Sequence, residues 1–276
     1  MSCNLDLSVL ASKPERLWAD DVLSDDIVME IEEDRDPVIG EVAGRDSVAA
    51  IVQAATFWMG VTSVLPTIAY SGTEYGNWDS VCRAIDIIKE RAAENEKIVF
   101  EPVLVGSPKL WWALNGRFVS RLEKTFGFYS PCLGCHLYMH LVRVPLCWDV
   151  GCKRIVTGER ENHGDCEKIN QMAVALDAYT EVLAEVNLQL LMPMRQIAEN
   201  EPIEKLVGPD WPAGEKQLSC VFSGNYRDVG GEVVVDSEHL KAYFDDFAKP
   251  AGAAILQAWK HERQPDYEKI VAGVLG

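Results

Sequence analysis

Residues 38–58 read VIGEVAGRDSVAAIVQAATFW, and this stretch decides the fold class. The apolar run 38–42 predicts a short buried strand, and Gly44 marks a turn. Residues 47–58 then repeat apolar side chains at helical spacing, with Val48, Ile51 and Val52 on one face. The stretch therefore predicts a strand–turn–helix unit.

The same alternation continues along the chain. Strands followed by helices indicate parallel pairing, and hence an α/β fold with a doubly wound parallel sheet and helices on both faces. Ligands of such sheets bind where the strands end. The predicted strands are 38–42, 63–70, 98–105, 154–157 and 186–193, and the predicted helices are 47–58, 79–94, 109–125, about 136–148, 169–185 and 195–207.

Three segments organise the chain. Residues 1–36 are acidic, with nine acids between Asp20 and Asp36 against the single Arg35, and predict a short strand or an amphipathic helix with a solvated acidic face. Residues 37–207 form the predicted α/β domain. Residues 208–276 are an extension that begins as an irregular Gly- and Pro-containing loop and turns helical from about Ser237.

Charge and cysteine usage limit the function classes. With 43 acids against 26 basic residues in 276, the net charge of −17 means that nucleic acid would need a local basic patch. Eight unevenly spaced cysteines do not resemble a secreted disulfide framework, so we expect a reducing cytoplasm. No stretch has about 18 consecutive apolar residues, so we expect no membrane partner.

The turn after the first predicted strand, Ala43-Gly44-Arg45-Asp46-Ser47, suits an anion. A small-residue turn lets backbone N–H groups approach a phosphate, and the helix N-terminus adds partial positive charge. Asp46 and Ser47 would serve equally well as helix caps without any ligand. From the spacing alone, both interpretations stay open.

This turn resembles that of the PP-loop ATP pyrophosphatases, whose motif is Ser-Gly-Gly-x-Asp-Ser. The chain keeps Gly44, Asp46 and Ser47 but has Val42 and Ala43 at the first two positions. The stretch Tyr70-Ser71-Gly72-Thr73-Glu74 is similar to the family's Asp-Thr-Gly-x-Glu, and 155–161, IVTGERE, is similar to its loop after the fourth strand. The resemblance implies ATP and Mg²⁺ as ligands, with Ala43, Gly44, Arg45, Asp46, Ser47, Ser71, Gly72 and Gly158 around the nucleotide and with Asp46, Arg160 and Glu161 in catalysis.

Cys132-Leu133-Gly134-Cys135 is the most specific local signal. Two thiolates two residues apart can bind one metal centre, and we expect Pro131 and Gly134 to shape a loop there. A thioredoxin-like redox pair is the competing chemistry. A closed zinc site would need further ligands, for which the candidates are Cys147, Cys152, Cys166, His136, His140, His163 and Cys220.

Cys132, Cys135 and Cys220 also resemble the ligands of the iron-sulfur branch of the PP-loop family, the tRNA 2-thiolation enzymes. That branch holds a [4Fe-4S] cluster with a C-x-x-C pair and one later cysteine, here 85 positions after Cys135. Three thiolates leave one iron open to sulfur, which a closed zinc site would not. The resemblance implies a sulfurtransferase that adenylates an acceptor and takes sulfur from a donor, with a homodimer as a candidate assembly.

The acceptor is a small molecule or tRNA, and the net charge favours the small molecule. A tRNA would need the face predicted from Arg117, Arg121 and Lys124, at helical spacings of four and three. Two alternatives remain. One is a desulfurase with the same cluster; the other is a nucleotide- or zinc-binding regulatory protein on a degenerate PP-loop fold, which the Val42 and Ala43 departures favour.

Overall fold

The computed structural model describes residues 5–58, 60–161, 167–209, 211 and 217–276. The strands are β1 (Val38–Glu41), β2 (Ser63–Ala69), β3 (Glu74–Tyr75), β4 (Ile98–Val99), β5 (Val103–Val105), β6 (Arg154–Val156), β7 (Gln189–Leu191) and β8 (Ser219–Cys220). The α-helices are α1 (Val9–Ser12), α2 (Ala19–Val22), α3 (Asp25–Glu33), α4 (Arg45–Phe57), α5 (Asp79–Ala93), α6 (Pro108–Trp111), α7 (Val119–Phe126), α8 (Pro131–Leu141), α9 (Val144–Asp149), α10 (Ala173–Ala184), α11 (Glu201–Val207), α12 (Ser237–Tyr243), α13 (Lys249–Trp259) and α14 (Tyr267–Leu275).

The main sheet has the strand order β4-β2-β1-β6-β7, with β5 also paired to β2, and every pair in it is parallel. The predicted doubly wound parallel sheet is therefore confirmed. All four residues of β1 are buried, as are six of the seven in β2. Such continuous burial is typical of parallel strands that are covered on both faces.

Alternate residues of the strands pack into two hydrophobic cores, one on each face of the sheet. Val38 and Val64 pack with α4 and α5, whereas Ile39 and Leu65 pack with α8, α10 and the C-terminal helices. Successive side chains of a strand point to opposite faces, which explains this division. Helices α2 and α3 join the second of these cores through buried residues such as Ile31, whereas α1 packs against the first through Val9 and Leu10.

Several predicted elements differ from the structure. Strand 98–105 is two short strands, because Pro66 of β2 and Pro102 both lack the N–H group that a continuous ladder needs. Helix 109–125 is interrupted by a π-helical turn, Trp112–Gly116. Helix 195–207 begins only at Glu201, because Pro202 suits a first helical turn and not a helix interior.

The expected cysteine loop is wrong: Cys132 and Cys135 lie in the first turns of α8. Pro131 occupies the first helical position, where its missing N–H costs nothing. Glycine is needed at position 134 because a Cβ there would lie 2.5 Å from the side-chain oxygen of Asn115. The predicted helix 136–148 is thus two helices, with α9 beginning anew around Pro145.

A two-stranded antiparallel sheet brings the C-terminal segment back to the main sheet. Glu74 of β3 pairs with Cys220 of β8, so the segment predicted as an irregular loop carries a short strand. From Ser237 onward the chain is helical, as predicted. In the described part of the chain, no helix has the length and apolar character that crossing a membrane requires.

Candidate functional site

A cavity of about 1020 Å³ opens at the carboxyl ends of β1 and β6. The neighbours β1 and β6 are where the strand order reverses, because the chain first adds strands on one side of β1 and then on the other. Open α/β sheets bind their ligands at this switch point. The inner wall includes the turn 42–47, with Thr157, Gly158 and Glu159 opposite it.

The turn between β1 and α4 is organised by the Ser47 hydroxyl. The backbone N–H groups of Ala43 and Gly44 donate to Ser47 Oγ at 3.0 and 3.1 Å, and the hydroxyl donates to the Gly44 carbonyl at 2.7 Å. Asp46 lies beside Ser47, and its carboxylate contacts Arg45 at 3.2 Å. The Ser47 hydroxyl therefore fixes the shape of the turn that places the N-terminus of α4 at the cavity wall.

Gly158 lets the loop after β6 lie directly on the N-terminus of α4. A Cβ at this position would fall 2.3 Å from the backbone nitrogen of Ser47 and 2.5 Å from its Cα. Backbone atoms cannot move aside as a flexible side chain can, so only glycine fits. The predicted phosphate turn and the predicted Gly158 loop are thus in contact.

A buried ionic network closes the floor of the cavity. His140 Nδ1 lies 2.8 Å from Glu41 Oε1, and Arg143 Nη1 lies 3.5 Å from the same oxygen. Burial raises the pKa of Glu41, but the charges of Arg143 and His140 outweigh it and hold the pKa at about 2. Arg143 also donates from Nε to Thr67 Oγ1 at 2.7 Å, which ties the network to β2.

Glu159 continues this network toward the cysteines. Its Oε1 lies 2.5 Å from His136 Nδ1 and 3.7 Å from His140 Nε2, and its Oε2 accepts from Gln171 Nε2 at 2.6 Å. Burial raises the pKa of Glu159, but the nearby histidines and Gln171 lower it overall. His136 and His140 are one turn apart on α8, so Glu159 fixes this helix to the end of β6.

Other predicted residues lie away from the cavity wall. Arg160 is buried, and its guanidinium donates to the Ile197 carbonyl and Asn200 at 2.6 and 3.2 Å, while Nη1 lies 3.6 Å from Asp46. Glu161 accepts from Arg195 Nε at 2.9 Å. Their catalytic roles stay predictions, and Glu159 is the acid of this loop that reaches the cavity.

Ser71 and Gly72 form a turn around the Glu74 carboxylate, which accepts both backbone N–H groups at 2.7 and 2.9 Å. Thr73 follows them and accepts from Cys220 Sγ at 3.3 Å. The turn after β2 therefore borders the cysteines, and its predicted role around the nucleotide stays a prediction.

Cys132, Cys135 and Cys220 line one cavity of about 230 Å³. The two helical cysteines are three residues apart and share one face of α8. Strand β8 supplies Cys220, and the chain then turns so that the Phe222 carbonyl lies 3.8 Å from Cys132 Sγ. The Phe222 ring stacks on Trp111, with centroids 6.0 Å apart, and forms part of the wall. The structure thus brings the predicted trio together.

Burial, with a smaller contribution from Cys220, raises the pKa of Cys132 to about 11 and the pKa of Cys135 to about 12. The nearby polar groups of Ser130 and Trp111 lower these two pKa values only in part. The thiols of Cys132 and Cys135 are therefore protonated at neutral pH unless a bound cation displaces the protons.

The three thiols surround a space and do not converge on one point. Among the described residues, no three His, Cys, Asp or Glu side chains form a ready group for a metal ion. His136 also lines the cavity, but its ring nitrogens are taken by Glu159 and by Asn170, the latter at 2.9 Å. Cys147 and Cys152 are buried in the core behind β1, and Cys3, His163 and Cys166 lie outside the described residues.

The two cavities share a boundary. Four residues line both of them: His136, Met139, Lys168 and Gln171. The sequence indicates His136 only as a candidate zinc ligand. It does not mark Met139, Lys168 or Gln171 as site residues. Glu159 was detectable, since it follows Gly158 in the quoted loop, but nothing in the local pattern marks Lys168.

The face predicted for tRNA is partly occupied by contacts within the protein. Arg117 lies before α7, outside the helix, and its Nε donates to Glu268 at 2.8 Å. Arg121 donates to the backbone carbonyl of Gly276. Two of the three cations therefore hold the C-terminal helix α14 in place.

No protein-family model matches the chain. The chain is 41% identical over 241 residues to "Uncharacterized protein MJ0009" of Methanocaldococcus jannaschii, an alignment that covers 85% of this chain and 86% of that protein. Among solved structures it is similar to the crystal structure of a 4-thiouridine synthetase–RNA complex with bound ATP, with a TM-score of 0.48, 16% identity and 87% of this chain covered. That match covers 53% of the solved chain, so this chain spans about half its length.

Proposed function

The chain belongs to the family of the Methanocaldococcus jannaschii protein. We propose that it is an ATP-dependent, sulfur-handling enzyme of the PP-loop class. The observation that carries the proposal is the shared boundary of the two cavities. A polar cavity at the switch point of the sheet adjoins a cavity ringed by three cysteines. This arrangement suits a reaction that activates an acceptor in the first cavity and delivers sulfur to it from the second.

The larger cavity suits a nucleotide. Its volume of about 1020 Å³ lies at the upper end of small-molecule pockets, roughly 300–1,000 Å³, so ATP and a small acceptor fit together. The N-terminus of α4, at the wall of this cavity, offers partial positive charge to phosphate oxygens. Asp46, at the same wall, supplies a carboxylate for the Mg²⁺ that accompanies ATP.

The proposed chemistry has two balanced steps. An acceptor carbonyl oxygen attacks the α-phosphorus of ATP, a P–O bond forms, and pyrophosphate leaves with the electron pair of the broken bond. A donor with sulfur at the oxidation level of sulfide then attacks the activated carbon. The C–S bond forms as the C–O bond breaks, and AMP leaves carrying the acceptor oxygen. Neither step needs an oxidant or a reductant.

The cysteine cavity fits an iron–sulfur cluster better than a closed zinc site. Cys132, Cys135 and Cys220 would hold the cluster, and three thiols around a cavity of about 230 Å³ suit a polynuclear centre. A closed zinc site needs four ligands, and both ring nitrogens of the nearest further candidate, His136, are already bonded. A cluster held by three cysteines supplies one iron without a protein ligand, where sulfur can bind.

The acceptor is a small molecule in this proposal. Both acids, such as Asp46 and Glu204, and cations, such as Arg45 and Lys168, line the nucleotide cavity, so this lining does not decide the acceptor. Outside the cavity, the net charge of −17 and the contacts of two of the three predicted basic side chains with α14 disfavour an extended polyanion such as tRNA. Salt-sensitive retention of tRNA by the protein in a filter assay would overturn the small-molecule preference.

Anaerobic purification tests the proposal directly. We expect a brown protein that absorbs at ~400 nm, contains iron and binds a non-hydrolysable ATP analogue in calorimetric titration. A colourless protein with bound zinc would remove the sulfur-handling role. An iron-loaded protein that binds no ATP analogue would instead favour a regulatory protein on a degenerate PP-loop fold.

A further inference from the structure

Lys168 stands out among the residues that line both cavities. Of the four, Met139 has an apolar side chain, and His136 is bonded through both ring nitrogens. Gln171 donates to Glu159 at 2.6 Å. Within the described ranges, no carboxylate forms an ion pair with Lys168, so no such partner neutralises its ammonium group there.

The backbone of Lys168 is held firmly. Its carbonyl accepts from the Gln171 N–H at 2.9 Å and starts the 3₁₀ turn Ile169–Gln171. The three residues of that turn are buried. A long side chain that starts from a fixed point can reach only a limited region, which here is the boundary between the cavities.

The other cations of the nucleotide cavity are already committed. Arg45 contacts Asp46 at 3.2 Å and donates to Asn200 at 2.9 Å. Arg143 is buried against Glu41 and Thr67. Glu41 and Glu159 keep their negative charges nearby, since their pKa values are lowered. A negatively charged ligand at the boundary would therefore depend on Lys168.

We infer that Lys168 binds the α-phosphate of ATP and of the adenylated acceptor. This inference rests on the proposed function. In that reaction the carbon that receives sulfur is joined through one oxygen to the α-phosphorus, and AMP leaves with this phosphate. The α-phosphate must therefore lie where the two cavities meet. An ammonium there stabilises the charge that AMP gains as the C–O bond breaks, so Lys168 is a catalytic residue.

The test compares Lys168→Met, Lys168→Arg and the control Lys153→Met, which changes an exposed lysine at the opposite edge of the sheet. Calorimetric titration with a β,γ-imido ATP analogue should show at least about a tenfold loss of affinity in Lys168→Met, as expected for one charge-assisted hydrogen bond. Lys168→Arg should restore most of it, and Lys153→Met should match the wild type. Equal thermal midpoints would verify folding.

Phosphorus NMR of the bound analogue locates the contact. We expect the α-phosphorus resonance to differ between the wild type and Lys168→Arg, while the γ-phosphorus resonance stays in place. Unchanged affinity in Lys168→Met, or a change confined to the γ-phosphorus, overturns the inference and leaves the proposed function standing. A wild-type protein that binds no analogue overturns the nucleotide site itself, so the two failures are distinguishable.

Discussion

The two cavities at the carboxyl edge of the sheet are built in different ways. The larger one is lined partly by strand ends and the turns that follow them, such as the turn 42–47 after β1 and Gly158 after β6, and partly by α8, by α11 and by residues after α11 such as Leu218. The smaller one joins a helix to a distant segment, because Cys132 and Cys135 lie on α8 and Cys220 lies on β8.

The larger cavity follows from the fold class, whereas the smaller one depends on one added contact. Any doubly wound sheet has a crevice at its switch point. The cysteine cavity exists because β8 returns to pair with β3, which places Cys220 opposite Glu74. Single substitutions should therefore affect one cavity and leave the other unchanged.

Removing any one of the three cysteines should eliminate cluster binding in the cysteine cavity and leave the nucleotide cavity unaffected. We expect Cys132→Ala, Cys135→Ala and Cys220→Ala each to abolish cluster incorporation, because all three thiols line one cavity. Affinity for an ATP analogue should persist. Iron content and absorbance at ~400 nm measure the first effect, and calorimetry measures the second.

Cys82→Ala is the matched control, since Cys82 lies half-buried on α5 and lines neither cavity. It should keep its full iron content. Iron at the wild-type level in Cys220→Ala would show that the cysteine cavity is not the cluster site.

Acid should lower the stability of the folded protein, because it protonates Glu41 in the ionic network at the floor of the larger cavity. Its pKa of about 2 in the folded protein lies below the ordinary 4.5, so its ionised form stabilises the fold above pH 4.5. That stability, of order 3 kcal/mol, should be lost as the pH falls from 4.5 toward 2. Urea unfolding at several pH values measures it.

Glu41→Gln provides the comparison. This variant lacks the titrating group, so its unfolding free energy should fall less between pH 4.5 and pH 2 than that of the wild type. Parallel curves for the two proteins would show that another carboxyl carries the acid sensitivity.

Two substitutions in the turn 43–47 should weaken the nucleotide site without touching the cysteines. Ser47→Ala removes the hydroxyl that orders the N–H groups of Ala43 and Gly44, and Asp46→Ala removes a carboxylate from the wall. We expect each to lower affinity for an ATP analogue about tenfold, consistent with the loss of one or two hydrogen bonds.

Ser80→Ala is the control for this pair, because Ser80 occupies the first turn of the neighbouring helix α5 and lines neither cavity. Its affinity should equal that of the wild type, and iron content should be unchanged in all three variants. Wild-type affinity in both Ser47→Ala and Asp46→Ala would place the phosphates elsewhere.

The smallest effect is expected from neutralising Arg117, Arg121 and Lys124 together. With a small-molecule acceptor, the triple variant should keep its nucleotide affinity and its activity. With tRNA as the acceptor, it should bind more weakly, and the slope of log affinity against log salt should fall by roughly two to three. Filter binding at several salt concentrations distinguishes the two.

Much of the fold was accessible from the sequence. The predicted strands 38–42 and 154–157 match β1 and β6 to within one residue at each end, because both contain adjacent β-branched residues, Val38 and Ile39 in the first and Ile155 and Val156 in the second. The helical position of Cys132 was not accessible. Pro131 and Gly134 favour a loop by local propensity, and only packing against Asn115 and Tyr243 explains the glycine in a helix.

The candidate site, like the fold, was predicted only in part. The trio of cysteines and the turn 43–47 were predicted, and the structure brings each set to a cavity wall. The catalytic roles of Asp46, Arg160 and Glu161 remain predictions. Glu159 and Lys168 were missed as site residues, because a side chain's direction at a strand end depends on what packs around it, here His136 and Gln171 for Glu159.

The sequence by itself determined the alternation of strands and helices, and the residue types available for chemistry. Periodicity is a local consequence of burial, so it can be seen in a single chain. Local sequence patterns could not show that Cys220 meets Cys132 and Cys135, which only the family resemblance indicated, and nothing but the tertiary structure shows that Lys168 lines both cavities. Both depend on pairing between distant segments, such as β3 with β8, whose free energy comes from contacts that no local window of sequence contains.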